Sequence, residues 1–355
     1  MDSRGRAGAE RVDGFAFILA GGIGSRFWPA SRPDRPKQLL PLGGPRPLIV
    51  DTVERAVELV GLDRTRILSS RELVAPIRRA VPSLTEDHFL LEPPLPGTGP
   101  VLTRAAGYAE AREPGSVMVS LHADHVISPL DGFRDTVLRA VDAARAEEGR
   151  LYCLGVTPTR PETGYGYVEV GRELAPGAHE VVRFVEKPQL ADARAYASSG
   201  RHLWNSGIFV WRAAALLEAV RTFSPEMAGG LPALEAGDAD GFFARCTAIS
   251  VDVGVLERAD RVGVVRAAFE WDDVGTWAAL TRTRELDGEG NAVVGDAATV
   301  ESRDNIVWSE NGRVTLYGVD GLVVVQSGDR TFVTTRERAG DLKRLLAKLE
   351  GEEAT

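Results

Sequence analysis

The chain has 355 residues, 44% hydrophobic and 26% charged, with a formal net charge of −9. That size suits two domains, or one large domain with an appendage, and the acidic balance argues against nucleic acid as a partner, which would call for a basic stripe. No apolar run reaches the roughly 18–20 residues of a bilayer crossing, and two cysteines, Cys153 and Cys246, outside any CxxC pair point away from a disulfide framework or a structural zinc and toward a reducing cytoplasm.

Residues 1–13 hold no apolar stretch and read as a disordered tail, not a signal peptide. Residues 15–20 (FAFILA) form a short apolar run that stops at glycines, the pattern of a buried parallel strand feeding a loop. Comparable runs follow at 66–69, 89–91, 117–121, 151–156 and 207–211, with helical spacing at 49–60, 132–148 and 213–221. This alternation predicts an α/β domain over 14–287, with a mainly parallel sheet covered on both faces. Near 288 the pattern changes. Short β-type runs at 298–301, 305–308, 314–317, 322–326 and 331–333 are separated by NG, DG and GD turns, and helical spacing over 339–349 closes the chain. Residues 288–355 therefore read as a small β unit, β-helix-like, ending in a helix.

Gly21, Gly22 and Gly24 follow the first strand at once, and Arg26 and Lys37 add positive charge. Glycines there let bare N–H groups approach an anion, so the segment describes a triphosphate cradle. It is not a Walker A loop, because Lys37 lacks the preceding glycine and the following Ser or Thr. Nor is it a dinucleotide fingerprint, because Pro29 opposes a helix starting normally there. Only four of the 42 basic residues are lysines, which singles out Lys37 and Lys187.

Asp124 lies just past the 117–121 strand, where open α/β sheets place their chemistry. A partner for it stands far along the chain in EWDDVGTW, at Asp272 or Asp273. Two carboxylates converging on phosphates would suit Mg²⁺. His122 and His125 flank Asp124 and suggest zinc, but no third nitrogen or sulfur ligand has a recognisable spacing. Three further strings, PETGYGYVEV (161–170), FVEKP (184–188) and WNSGIFVWR (204–212), read singly as a turn, a charged bend and a cap.

The string LAGGIGSRFWPASRPDRPKQ (19–38) resembles the signature of sugar-nucleotide pyrophosphorylases, nucleotidyltransferases with a Rossmann-like domain. Its WPxSR…PKQ part is similar to that of the mannose-1-phosphate guanylyltransferases in particular. The order G-Y-G-Y, E-K-P, N-S-G and W-x-D-x-G matches the same family. The resemblance implies transfer of GMP from GTP to mannose 1-phosphate, giving GDP-mannose and pyrophosphate, by in-line attack with Mg²⁺. It implies that Leu19, Ala20, Gly21, Gly22, Gly24, Ser25 and Asp124 bind the nucleotide and that Arg26 and Lys37 stabilise charge as pyrophosphate leaves. Asp124 and Asp273 would hold the metal, with Asp272 a bystander. Lys187 would take the sugar phosphate, Glu186 and Asn205 the ring hydroxyls, and Gly166 would offer backbone to the sugar.

The sequence departs from the family in two places. His122 stands where proline is usual, and EPPLPGTGP (92–100) keeps Thr98 and Pro100 but has Pro96, Gly97 and Gly99 where the base loop usually has Arg, Asn and Ala. Guanine remains the expected base, while another sugar 1-phosphate or nucleotide is the alternative, and a catalytically silent sensing subunit a lesser one. Residues 290–349 resemble the family's short β domain, by analogy a homodimer contact. No isomerase domain follows, so transferase activity alone is expected. Lys343 and Lys348 read as a solvated helix face.

Overall fold

The structure is a computed structural model that describes residues 11–94 and 97–353. Residues 1–10 of the expected tail and Pro96 of the base loop lie outside them. The tail expectation needs correcting at 11–13: the Val12 N–H donates to the Leu59 carbonyl at 2.8 Å and its side chain is buried. An apolar side chain three residues before Phe15 extends the strand's packing.

The first strand, β1 (Gly14–Leu19), is buried along its length except at Leu19. It lies between β2 (Thr65–Ser69) and β4 (Val117–His122), parallel to both, and β3 (Phe89–Leu91) adds parallel to β2. A short β5 (Val126–Ser128) leaves the sheet, which continues through β6 (Leu151–Val156), β7 (Tyr167–Ala175), β8 (Ala178–Val185), β9 (His202–Arg212) and β10 (Val262–Arg266). The order is β3-β2-β1-β4-β9-β6-β10-β8-β7. Only β8 and β9 run against the others, so the sheet is mainly parallel as expected. Helices α1 (Leu48–Val60), α2 (Arg71–Ala80), α3 (Thr98–Arg112), α4 (Leu130–Ala146), α5 (Leu190–Ser198) and α6 (Ala213–Phe223) link the strands. Two apolar clusters cover the sheet, one centred on Ile18, Val119 and Val137, the other on Phe17, Met118 and Leu216. No helix among the described residues is long and apolar enough to cross a membrane.

β11 (Glu270–Asp272) pairs antiparallel with β5, with Asp272 opposite Val126. Beyond it, β12 (Ala292–Val294), β14 (Ile306–Ser309) and β16 (Leu322–Ser327) stack in parallel register, as do β13 (Ala297–Val300) and β15 (Val314–Tyr317). This is the expected β-helix-like stack. The antiparallel β17 (Arg330–Thr335) and a helix at Leu342–Glu353 end it. Lys348 is exposed on that helix; the Lys343 side chain lies outside what is described. The stack shares a core with the sheet domain. Trp308 packs 5.4 Å from Trp277, and Trp277 packs 5.0 Å from Phe27 of the glycine-rich segment.

Candidate active site

The loop after β1 is laced from within. The Ala20 N–H donates to Leu68, and the Ala20 carbonyl accepts from Gln38 Nε2 at 2.7 Å. Ser31 Oγ donates to the Gly24 carbonyl, and the Lys37 N–H to Ile23. Two glycines are required by contact. A Cβ on Gly21 would stand 1.9 Å from Glu92 Oε1, and one on Gly24, whose φ is 71°, would stand 2.3 Å from Lys37 Cβ. The loop thereby bends over a cleft of about 380 Å³ lined by Leu19, Gly21, Gly22, Glu92, Thr98 and Asp124. Ala20 and Gly24 line it too. Ser25 and Arg26 lie exposed on the one-turn helix that follows.

Asp124 and Asp273 are 149 positions apart in the sequence, and the β5–β11 ribbon unites them. Asp124 precedes β5 and Asp273 follows β11, so antiparallel pairing puts both at one end. Lys37 joins them. Its ammonium donates to Asp124 Oδ2 at 2.6 Å and to the Asp273 backbone carbonyl. Burial pushes the Asp124 carboxyl up, but the Lys37 ammonium beside it holds it well below the usual range. Asp273 is pushed upward by burial, against the opposing hydrogen bond from Tyr165. Asp272 turns away: Arg282 grips its carboxylate at 2.6 and 3.1 Å, and the Val274 N–H donates to it. Val274 has a φ of 48°, uncommon for a β-branched residue and a mark of a constrained turn beside Asp273.

Each metal candidate keeps one carboxylate oxygen with no hydrogen bond from the described residues, since Tyr165 takes Asp273 Oδ1 and Lys37 takes Asp124 Oδ2. An all-oxygen donor pair suits Mg²⁺, with Asp124 lining the open cleft and Asp273 half-buried beside it. Zinc between His122 and His125 fits poorly. One ligand atom from each of His122, Asp124 and His125 lies within 4.8 Å of the others, but the two rings stack with centroids 4.6 Å apart and planes 27° from parallel, unlike the tetrahedral spread of zinc ligands. His125 Nδ1 also accepts from Trp271 Nε1. Burial holds both imidazoles below their ordinary range, hence neutral. His122 is accommodated because Gly207 has no side chain there; a Cβ would stand 2.8 Å from its Nε2.

Gly166, Glu186 and Asn205 come together. A Cβ on Gly166 would stand 2.7 Å from Glu186 Oε2, and the Asn205 N–H donates to the Gly166 carbonyl. Asn205 Nδ2 donates to Asp252 Oδ1 at 2.8 Å. Asp252, missed in the sequence, opens a single turn of π-helix, a feature often found at functional sites. Burial, with Glu186 nearby, pushes its carboxyl up to about 7. Lys187 does not join the acid pair: it is exposed, has a φ of 46° and bonds Glu186 Oε1.

Thr98 begins α3 and accepts from the Val251 N–H through Oγ1. Gly97, with φ 71°, and Gly99 press against the Ile249 backbone, and a Cβ on either would stand 2.5 or 2.9 Å from an Ile249 atom. Close packing against that wall thus accounts for two of the base-loop departures. Glu92, also missed, faces the cleft with its carboxyl pushed up to about 7 by burial.

Residues 15–289 match the family model described as nucleotidyl transferase, and residues 295–349 that of the MannoseP isomerase/GMP-like beta-helix domain. A mannose-1-phosphate guanylyltransferase of Escherichia coli K12 is 36% identical over 95% of this chain and 74% of its own. One from Klebsiella pneumoniae is 35% identical over 94% and 73%. A Thermus thermophilus crystal structure described as mannose-1-phosphate geranyltransferase has a TM-score of 0.88 at 35% identity, covering 96% of this chain and all of that one.

Proposed function

The chain belongs to the nucleotidyl transferase family and, within it, to the mannose-1-phosphate guanylyltransferases; from that premise we propose that it transfers GMP from GTP to mannose 1-phosphate, releasing pyrophosphate. The observation that carries this reading is Lys37, one ammonium between Asp124 and Asp273 beneath a loop of bare backbone. That is a site for oxygen-rich phosphates and a divalent cation.

Glu92 supports guanine. Burial raises the Glu92 carboxyl, and the two adjacent donors of the guanine edge, N1–H and N2–H, favour its ionised form, which only accepts hydrogen bonds. Uracil and thymine offer a single N3–H between two carbonyls, and adenine pairs its donor with an acceptor. Mismatching an acceptor against those edges would leave buried polar groups unpaired. Glu186, Asp252 and Asn205 give the sugar pocket the acceptors that ring hydroxyls need.

In this reading a phosphate oxygen of the sugar phosphate attacks the α-phosphorus of GTP in line with the departing pyrophosphate. The nucleophile is already an anion, so no side chain need remove a proton. Arg26 and Lys37 offset charge on the leaving group, and Lys187 draws in the sugar phosphate. Asp124 and Asp273 would hold Mg²⁺, which when bound supplies charge neutralisation at the phosphates.

The test is pyrophosphate release across GTP, ATP, UTP and dTTP, each with mannose 1-phosphate and glucose 1-phosphate. GTP with mannose 1-phosphate should exceed every other pair at least about tenfold in kcat/KM, the loss that one unpaired buried contact brings. Glu92→Gln should erase most of the base preference. Equal or faster turnover with UTP or ATP overturns the guanine reading.

A further inference from the structure

Tyr165 stands between the acid pair and the sugar cluster. Its hydroxyl donates to Asp273 Oδ1 at 2.6 Å and accepts from Arg160 Nη2 at 3.1 Å. The ring is 8% exposed. It meets Trp271 and Trp204 edge-on, at centroid distances of 4.9 and 5.2 Å. Arg160 is itself held, lying 4.9 Å over the Trp204 ring and bonded to Glu162 Oε2 at 3.3 Å. With one face walled by indoles and the hydroxyl bonded on both sides, Tyr165 has little room to change rotamer.

Both neighbours of this tyrosine lead to the sugar cluster. Gly166, next in the chain, lies against Glu186 and accepts the Asn205 N–H through its carbonyl. Asn205 follows Trp204, the indole that walls the ring. A sugar gripped by Glu186 and Asn205 therefore bears on Gly166, next to Tyr165 in the chain, and on Trp204, against its ring. On the opposite side, the hydroxyl engages Asp273 Oδ1, while Oδ2 takes no hydrogen bond from the described residues.

We propose that Tyr165 is a positioning residue that couples the two halves of the site: sugar-phosphate binding fixes Tyr165, Tyr165 fixes the Asp273 carboxylate, and divalent cation and sugar phosphate bind more tightly together than apart. The proposal rests on the assignment of Asp273 to the cation and of Gly166, Glu186 and Asn205 to the sugar. By linkage, whatever factor the sugar phosphate adds to cation affinity, the cation adds to sugar-phosphate affinity.

Mn²⁺, followed through the electron paramagnetic resonance signal of the free ion, is the probe. The full chain is titrated alone and with saturating mannose 1-phosphate, for wild type, Tyr165→Phe and Asp273→Asn. Tyr165→Phe keeps the ring and removes one bond to a charged group, so Mn²⁺ affinity should fall about tenfold. The strengthening by mannose 1-phosphate, several-fold in wild type, should shrink toward one. KM for GTP at saturating metal should move less than about twofold, a split that general loosening would not produce. Unchanged Mn²⁺ affinity in Tyr165→Phe, or the same sugar-phosphate effect in both proteins, overturns the coupling. Asp273→Asn separates the two ideas. Wild-type Mn²⁺ affinity in that variant defeats the metal assignment itself; loss there with Tyr165→Phe unaffected defeats only the coupling. Should Tyr165→Phe not fold, Arg160→Met leaves the tyrosine packing in place and is judged by the same two readouts, with a smaller loss expected.

Discussion

Replacing Lys37 by arginine keeps the charge and should still cripple the enzyme. The Lys37 side chain is only 8% exposed, and its ammonium meets one carboxylate oxygen and one backbone carbonyl, which converge on a point. A guanidinium spreads its donors across a plane and needs a fork of acceptors. There is no space to shift the chain backward, because Gly24 already abuts Lys37 Cβ and the Phe27 ring centroid lies 5.8 Å from Nζ. Each bond to the charged group is worth about 1.5–3 kcal/mol. Losing one such contact at the developing charge costs about 10²–10³ in kcat. We expect about that loss for Lys37→Arg and at least as much for Lys37→Met. Lys348→Arg, on an exposed position of the last helix, should be silent. Acid sensitivity offers a second readout. Because Lys37 holds Asp124 below its ordinary range, that carboxylate contributes stability above about pH 4 that is lost as pH falls further. Lys37→Met should flatten that acid limb in thermal melts. Steady-state pyrophosphate release decides the main point: Lys37→Arg retaining a third or more of wild-type kcat would refute the argument from shape.

Asp252 behaves oppositely to Asp124. Its folded value of about 7 lies above the ordinary 3.8, so the unfolded chain loses the proton first, and stability falls as pH rises from about 4 to 7. Asp252→Asn should therefore melt like wild type near pH 4 and be more stable by about 2–4 kcal/mol above pH 7, while binding the sugar phosphate more weakly; a stability gain equal at all pH values would count against a carboxyl buried beside Glu186, Lys187 and Asn205. Trp308→Ala should cost about 3–5 kcal/mol, as for other buried aromatics. It should also raise KM for GTP, because Trp308 supports Trp277 and Trp277 supports Phe27 in the glycine-rich segment. A lower melting temperature with unchanged kinetics would show that the β stack does not brace the loop.

That brace explains the aromatic string after the glycines. The Phe27-Trp28 pair is driven into the seam between the two parts of the chain. Trp277 Nε1 donates to the Trp28 carbonyl, Trp28 meets Phe332 at 5.8 Å, and Arg35 bonds Glu310 of the stack at 2.7 Å. The glycine-rich loop is thus held at one end by the β1 strand and at the other by the C-terminal stack. A loop of glycines has high conformational entropy to lose. Anchoring both ends beforehand lowers that loss when the phosphates bind, which is the physical meaning of preorganisation here.

Much of this was legible in the sequence because the signals were local. Apolar runs gave β1, β2, β3, β4 and β6 within a residue or two and the second half of β9, and turn dipeptides marked the C-terminal stack. The glycine loop announced itself by composition. β5, β8, β10, β11 and β12 escaped, as did α2, α3 and α5; Ala-Val-Val of β12 is too short to stand out, and Thr98–Arg112 of α3 opens on Thr-Gly-Pro and reads as a continuation of the base loop. The residues missed at the site share another property. Glu92, Tyr165 and Asp252 do their work through partners 71, 108 and 47 positions away: a Gly21 with no side chain, the Asp273 carboxylate and the Asn205 amide. No local pattern distinguishes a tyrosine that orients a carboxylate from one that fills a turn. The sequence offered one indirect clue, that a G-Y-G string keeps small residues on both sides of one large ring. A glycine on each side lets the backbone lie against Glu186 while the ring reaches across to Asp273, so the spacing permits a residue that touches two clusters at once, and only the contacts made far along the chain single it out.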